Sequence, residues 1–519
     1  MSQNEYKPLL FTTTVRNPQR YKILLDVLLA FDGQILTNNI IDKIIFEFVA
    51  RKLYVPLYVS RTPNLKEQLV FDDIRFSDKD TSEIIANSPQ NHKEAGFDKG
   101  WASRFDTFYK FAMELGFVYY AMNKPIEISE TGLKLIKSNE PEFSQLEQQV
   151  FLNAFVKYQR NNPFRRVKNT NKPLVLLLQT INELKKIYGN DCAGISRLEI
   201  PLILCWKDDN AVELAKRIKQ IRDKYNFTPS NEYIYEICKK VLELSEKDEK
   251  RFKLTNIIYE LPDEFIRKMR LTGFISLRGN GRFIDFNSLE IEKIQYVLKN
   301  YAIPSKIFQT TRDYYDYMKK VDINLISIEA KTIIAENEKE RLFNKWTTSF
   351  ELSELKDELK ILCSLKSSSK NNVLRFISEP VRLEFLTALS LKKSFPILRV
   401  VPNYSIDDEG LPISFASGGN ADIICYDNNG NILFEVTLLT GTQQNIREMP
   451  AITRHLRDCV ATTPDSFSVM LCPRVHNDTI EYAQFIKFKD NLDITVLEIN
   501  DFINTLGVYE NARNYRKNK

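Results

Sequence analysis

The hydrophobic positions in the first 300 residues mostly follow a helical spacing. Between residues 20 and 31, apolar side chains recur on one helix face, at Ile23, Leu24, Val27, Leu28 and Phe31. A turn and helix cap at 36–39 precede a second predicted helix over 40–49. A third amphipathic helix is predicted over 101–115. This half of the chain is therefore predicted to be mainly helical.

A helix followed by a two-strand hairpin is predicted at two places in this half. The helix at 101–115 precedes a hairpin at 117–128, and a helix at 262–270 precedes a hairpin at 274–286. This order of elements is typical of a winged helix-turn-helix, in which a helix enters a DNA groove and the hairpin tip contacts the backbone. The pattern predicts a recognition region of two winged-helix-like subdomains.

The pattern changes after residue 350, where short apolar runs alternate with helical stretches. The runs that predict strands are 395–401, 421–426, 432–439, 467–471 and 494–499. Strands alternating with helices favour an α/β domain with one central sheet. The segment between the two halves has mixed charge and no clear strand signal, which predicts a helical linker.

These patterns predict a multidomain α+β protein. The predicted divisions are a recognition region at 1–300, with subdomains at about 1–145 and 146–300, a linker at 301–350 and an α/β domain at 351–519. A chain of 519 residues is too long for one hydrophobic core, which agrees with several domains.

Composition and charge exclude several classes of protein. No apolar run approaches the roughly 18 residues of a membrane span, and no signal-peptide pattern is present. The seven cysteines are scattered without a CxxC pair, so we expect small buried residues in a reducing cytoplasm. No phosphate-binding GxxxxGK[ST] or dinucleotide-binding GxGxxG motif occurs. The net charge of +5 is compatible with DNA binding but does not argue for it.

One segment in the C-terminal half carries acids on two adjacent predicted strands. Asn429-Gly430 is typical of a two-residue hairpin turn, and a turn there would pair Ile424 with Glu435. Residues that face each other across two paired strands lie on the same face of the sheet, and so do residues two positions apart along one strand. Asp422 is two positions before Ile424. Asp422 and Glu435 are therefore predicted to lie on one face, within reach of one divalent cation.

Three further polar side chains are predicted near this hairpin. Glu384 lies in the helix before the sheet, while Glu448 and His455 lie seven residues apart in the helix after it. Carboxylates suit Mg²⁺, and hydrolysis of a phosphodiester needs such a cation and a positioned water. We assign Asp422 and Glu435 as metal ligands. Either Glu448 or His455 is expected to act on water or orient the phosphate, and Glu384 is an outer or second-metal carboxylate.

Candidate DNA contacts are chosen by residue type and position. Two arginines, Arg278 and Arg282, flank the Gly-rich turn of the second hairpin, and Arg270 ends the helix before it. Arg104 lies in the helix of the first predicted winged unit. Guanidinium groups at such places are suited to phosphate and base edges.

The chain resembles the AlwI-type type IIS restriction endonucleases, a group that includes site-specific nicking enzymes. The resemblance is carried by three segments, namely Phe11–Arg20, Thr272–Asp285 and the run from Glu435-Val-Thr through Glu448 to Arg454-His455-Leu456. It implies a helical recognition region and a C-terminal nuclease of the PD-(D/E)xK fold. The resemblance matches Asp422 and Glu435 to the first two acids of that site, and Glu384, Glu448 and His455 to its other positions.

Two residues depart from the general pattern of that nuclease fold. Ala421 stands where proline usually precedes the first acid, and Thr437 stands where a catalytic lysine usually lies. The family resemblance makes Glu-Val-Thr the expected form, with Glu448 or His455 replacing the lysine.

The resemblance implies a Mg²⁺-dependent endonuclease that binds a short asymmetric site in double-stranded DNA and cuts a few base pairs away. It also implies a companion DNA methyltransferase, and a second subunit or homodimer for double-strand cleavage. Two alternatives remain open. The chain is compatible with a non-catalytic winged-helix DNA-binding protein, and with a recombination or transposition nuclease.

Overall fold

The computed structural model describes most of the chain. The described residues are 5–11, 15, 17–69, 75–140, 143, 145–165, 167–245, 250–329, 335–363, 369–416 and 419–516. Residues 12–14 and 16 of the first resembling segment lie outside this set. No described helix is long and apolar enough to cross a membrane.

The first 300 residues are mainly helical, as predicted. The α-helices here are α1 (Tyr21–Leu29), α2 (Asn38–Ala50), α3 (Leu57–Arg61), α4 (Pro63–Gln68), α5 (Asp78–Ala86), α6 (Trp101–Glu114), α7 (Glu130–Lys137), α8 (Gln145–Lys157), α9 (Pro173–Tyr188), α10 (Ile200–Cys205), α11 (Ala211–Tyr225), α12 (Asn231–Leu242), α13 (Leu261–Arg270) and α14 (Ile291–Asn300). The Thr37 side chain accepts a hydrogen bond from the Ile40 amide and so caps α2, where the sequence predicted a cap.

Both predicted hairpins form. Strands β1 (Val118–Tyr119) and β2 (Glu127–Ile128) pair after α6, and a further strand that was not predicted, β3 (Ile195–Ser196), precedes α10. Strands β4 (Ile275–Arg278) and β5 (Phe283–Phe286) pair after α13, and β3 joins them on the open edge of β5. Assignment of these units as winged helices stays a prediction.

The segment at 301–350 contains α15 (Thr311–Met318), α16 (Ile323–Ile326) and α17 (Glu336–Thr348), with no strand among its described residues. Buried apolar side chains from both halves of the chain form one continuous cluster, which runs from Leu9 to Tyr515. The halves therefore pack directly on each other. The predicted domain boundaries stay a prediction.

The C-terminal half is built on one central sheet, as predicted, and this sheet is mixed. Its strands are β6 (Arg399–Pro402), β9 (Ile423–Tyr426), β10 (Ile432–Val436), β11 (Phe467–Cys472) and β12 (Ile494–Glu498), in the order β12-β11-β10-β9-β6. The strands from β10 to β12 are parallel, whereas β9 is antiparallel to both of its neighbours. The strand predicted from 395 begins only at Arg399. A separate hairpin of β7 (Tyr404–Ile406) and β8 (Pro412–Ala416) was not predicted.

Five helices complete the C-terminal half. They are α18 (Leu352–Leu362), α19 (Glu379–Ser394), α20 (Met449–Thr462), α21 (Asn477–Asp490) and α22 (Ile499–Thr505). Helix α19 is buried over most of its length and packs against β6, β8, α17 and α18. A π-helical turn over Gln444–Glu448 leads into α20, where Pro450 occupies the first turn. Glu448 therefore lies at the helix N-terminus, the position that Pro450 predicted.

Candidate active site

The two acidic strands pair in a register that differs from the predicted one. Ile424 faces Leu433, whereas the sequence predicted that it would face Glu435. The cause is the position of the turn, which is centred on Asn428-Asn429, one residue before the predicted turn at Asn429-Gly430. A hydrogen bond from the Gly430 amide to the Asp427 carbonyl at 3.3 Å closes it. A shift of two residues leaves every side chain on its predicted face. The common face of Asp422 and Glu435 is therefore kept.

Asp422 immediately precedes β9, and its carboxylate is bound to the neighbouring strand. Its Oδ2 accepts a hydrogen bond from the Val436 amide at 2.7 Å. This bond fixes the carboxylate beside the C-terminal end of β10, next to Glu435. The hairpin thus positions both predicted metal ligands through the backbone.

Glu435 contacts the helix that follows the sheet. Its Oε1 lies 2.9 Å from His455 Nδ1, and the Glu435 residue is only 7% exposed. His455 belongs to α20 and lies two turns after Glu448. The two residues therefore share one face of the helix, as predicted, and this face packs against the sheet.

Thr437 links the end of β10 to Glu448. The Thr437 hydroxyl donates a hydrogen bond to Glu448 Oε1 at 3.1 Å, and it accepts one from the Leu439 amide at 3.0 Å. Residue 437 is the position at which the general nuclease pattern has lysine. In this chain the threonine there holds an acid.

Glu384 approaches the same place from α19. It is 2% exposed, and among the described residues its Oε2 has no hydrogen-bond partner. A buried carboxylate oxygen without a partner carries a free-energy cost, so it is expected to have a ligand or water in the working protein.

Burial and mutual repulsion raise the pKa values of the acids in this site. Burial, and then the charge of Asp422, raises the pKa of Glu384 well above its ordinary value. Burial, and then the charge of Glu435, does the same to the pKa of Asp422. Burial and the charge of Glu448 raise the pKa of Glu435 to about 8. Burial also raises the pKa of Glu448, against the hydrogen bond from Thr437. A cation placed among these groups would stabilise their charged forms.

The acids and His455 line one cavity of about 440 Å³. Its other wall comes from the N-terminal half and includes Asn17, Lys22 and Asn139. Within the described ranges, no group of three or more His, Cys, Asp or Glu side chains is close enough together to hold a metal ion in this conformation. The cavity therefore brings together all five predicted site residues without closing around a metal by itself.

Sequence reasoning missed two arginines that line this cavity, Arg447 and Arg454. Each directly precedes one of the two helical site residues in the sequence, and that adjacency was the signal available. The wall from the N-terminal half could not have been found in this way, because only tertiary packing brings it to the site.

Two of the four predicted DNA contacts are occupied by acids of the β7–β8 turn. Arg270 is 3% exposed, and its Nη1 donates to Asp407 Oδ2 at 3.0 Å. Arg278 donates to Asp408 Oδ2 at 2.8 Å and to Glu409 Oε1 at 2.7 Å. In this conformation both guanidinium groups join the two halves of the chain. DNA contact at either residue stays a prediction.

The other two predicted contacts lie in different surroundings. Arg104 is half-buried, stacks on Tyr54 and Phe108, and lies 2.9 Å from His92 Nε2. Arg282 is exposed at the tip of the β4–β5 hairpin. Of the four, Arg282 is the most accessible, and DNA contact there stays a prediction.

The chain is similar to solved restriction endonucleases. It shares 22% identity with the small subunit R.BspD6I2 of the heterodimeric restriction endonuclease R.BspD6I, over 31% of this chain and 83% of that one, with a TM-score of 0.25. It shares 11% identity with restriction endonuclease FokI, over 95% of both chains, with a TM-score of 0.23. With DNA-bound FokI it shares 12% identity, over 97% of this chain and 95% of that one, with a TM-score of 0.21.

These TM-scores are low, so family membership stands on the sequence. No curated protein sequence matches the chain. The family model described as AlwI restriction endonuclease matches residues 113–378 and 366–504, which together cover most of the chain and include all five predicted site residues of the cavity. The chain therefore belongs to the AlwI restriction endonuclease family, and its class is that of the type II restriction endonucleases.

Proposed function

We propose that this restriction endonuclease is of type IIS, or a nicking enzyme of the same kind, and depends on Mg²⁺. It binds a short asymmetric site in double-stranded DNA and hydrolyses a phosphodiester bond a few base pairs away. The observation that carries the proposal is the convergence of four buried carboxyl groups and His455 on one cavity.

The donor set fits Mg²⁺. Asp422 and Glu435 supply hard oxygen ligands on one face, and Glu384 adds a buried oxygen that lacks a partner among the described residues. Mg²⁺ is usually held by one or two carboxylates, with waters and substrate phosphate completing its shell, so a complete protein cage is not required. When bound, the ion would neutralise charge that develops on the phosphate.

The contacts divide the remaining roles between Glu448 and His455. His455 is bonded to the ligand Glu435, and a partner of this kind orients a metal-binding carboxylate. Glu448 is held by Thr437 at the position of the missing lysine, and its carboxylate is the group that accepts a proton from the attacking water. His455 is thus a positioning residue, and Glu448 is the general base.

We further propose a nuclease domain of the PD-(D/E)xK type and a recognition region of two winged-helix-like units. Support for the first comes from the mixed sheet with acids on its central hairpin. Support for the second comes from the two hairpins that follow α6 and α13. Arg282, at the exposed tip of the second hairpin, is the proposed backbone contact. The helical segment 301–350 would set the reach of the nuclease.

One active site of this kind cuts one strand of the DNA. Double-strand cleavage therefore requires a second subunit or a transient homodimer. A DNA methyltransferase with the same specificity would protect host DNA in the prokaryotic cytoplasm.

The test is incubation of the purified protein with supercoiled plasmid, in Mg²⁺ or in EDTA, followed by run-off sequencing of both strands. Mg²⁺-dependent breaks at a constant offset from one short motif are expected. Breaks confined to one strand would identify a nicking enzyme. Intact plasmid across metals and salt concentrations, with DNA binding retained, would overturn the proposal and favour a binding protein.

A further inference from the structure

The acids that line the cavity of the C-terminal half would repel the DNA that the cavity is proposed to bind. Four carboxyl groups face it, and the substrate is itself a polyanion. One divalent cation cannot balance four carboxylates and a phosphate. Positive side chains at the mouth are therefore needed to hold the DNA strand in place.

Arg447 and Arg454 satisfy this need by position. Both line the cavity and both are exposed. They lie seven residues apart, so they share one face of the helical stretch and are separated by roughly 10 Å along it. Each stands beside one functional group, Arg447 next to Glu448 and Arg454 next to His455. Arg447 also acts electrostatically on Glu448 and lowers its pKa, against the larger effect of burial.

On the basis of the proposed function, we infer that Arg447 and Arg454 bind the backbone of the DNA strand that is cut, Arg447 beside Glu448 and Arg454 beside His455. The rise of DNA is about 3.4 Å per nucleotide, so the pair spans about three nucleotides of one strand. The two arginines hold this short stretch of backbone, with the scissile phosphate within it, over the acids. They position the substrate and transfer no proton.

The same helix provides a matched control. Arg457 lies one turn after Arg454 on α20 and is also exposed, but it does not line the cavity. Its guanidinium is bonded to Asp490 at 2.7 Å. A charge lost there changes the net charge of the protein equally but leaves the cavity unaltered. Comparison with Arg457→Ala therefore separates the effect of the cavity arginines from any general effect of net charge on DNA binding.

The experiment measures single-turnover cleavage by the full chain, using a duplex that contains the mapped recognition and cleavage positions. Arg447→Ala and Arg454→Ala are each expected to lower the rate at saturating enzyme by about tenfold or more, since hydrogen bonds to charged groups contribute at this level. Each change should also make the plot of log cleavage rate against log salt concentration shallower, by the slope that corresponds to about one phosphate contact. Arg447→Lys and Arg454→Lys should recover part of the rate, and Arg457→Ala should match the unchanged protein.

A second measurement separates this role from recognition. Binding to a short duplex that ends at the recognition site is expected to be unchanged in both alanine variants. If the unchanged protein cuts and both alanine variants cut at the same rate as it does, the inference is overturned and the proposed function still stands. A loss of binding to the short duplex, or no recovery with lysine, would also overturn it. Failure of the unchanged protein to cut would overturn the proposed function, and the inference with it.

Discussion

Two clusters of charged residues in this protein differ in how their charges are balanced. At the β7–β8 turn, Arg270 and Arg278 are paired with Asp407, Asp408 and Glu409. In the nuclease cavity, four carboxyl groups share one space, and burial raises their pKa values.

The difference teaches how charged residues are to be interpreted. A buried charge that is fully paired contributes to one arrangement of the chain, and removing one partner is costly. Charges of one sign that are buried together lower stability unless a ligand compensates them, so they mark a functional site. The sequence singled out Arg270 and Arg278 as well as the acids of the cavity, but only the tertiary contacts show that the arginines are paired and the acids are not balanced by each other.

The largest effect is expected at the paired cluster. Replacing Arg270 with alanine leaves the Asp407 carboxylate buried without its partner and should lower the free energy of unfolding by about 3–5 kcal/mol. Urea unfolding of the full chain measures this. Arg267→Ala on the same helix is the control, because its partly exposed ion pair with Glu264 contributes about 1 kcal/mol or less. Normal stability with weakened DNA binding would instead support Arg270 as a DNA contact.

The next effect is expected in the cavity. Glu435→Gln keeps the shape of the side chain but removes its charge, and cleavage should fall by more than about 100-fold, or about 2.8 kcal/mol. DNA binding should be retained. Plasmid cleavage and a gel-shift assay measure the two properties. Glu481→Gln, at an exposed acid of α21, is the matched control and should cut normally. Full activity in Glu435→Gln would show that this acid is not a metal ligand.

A smaller effect is expected at the residue that holds Glu448. Thr437→Val removes the hydroxyl that donates to Glu448 and should lower the single-turnover rate by about 10- to 100-fold. Thr437→Ser keeps the hydroxyl and should stay close to the unchanged protein. If serine is as damaging as valine, the methyl group rather than the hydrogen bond is what matters.

The smallest effect is expected at the exposed hairpin tip. Arg282→Ala should weaken DNA binding by less than about tenfold and reduce its salt dependence by about one charge, with no change in stability. Fluorescence anisotropy at several salt concentrations measures this. Arg341→Ala is the control, since Arg341 is exposed in the linker segment and paired with Glu338. An unchanged salt dependence for Arg282→Ala would remove the tip from the DNA interface.

Periodicity alone predicted much of the local structure. The five strands of the C-terminal sheet and both hairpins of the first half form as predicted, because their apolar positions follow the period of a strand between clear turn residues. The pairing of Ile424 was wrong by two residues because the turn is centred on Asn428-Asn429, one residue before the predicted Asn429-Gly430 turn. Strand β3 was missed because it has only two residues, and β7 and β8 were missed because serine interrupts both and Pro412 begins β8, which weakens the strand signal.

The sequence by itself determined which residues share a face. Asp422 and Glu435 stayed together despite the wrong register, since side chains alternate with a period of two, and Glu448 and His455 stayed together because seven residues make two helical turns. Tertiary structure alone decided which charges meet. Arg270 and Asp407 are separated by 137 residues, and the wall of the cavity around Asn17 and Lys22 comes from the other half of the chain. Such contacts depend on how separate elements pack, and the local spacing of residues contains no record of them.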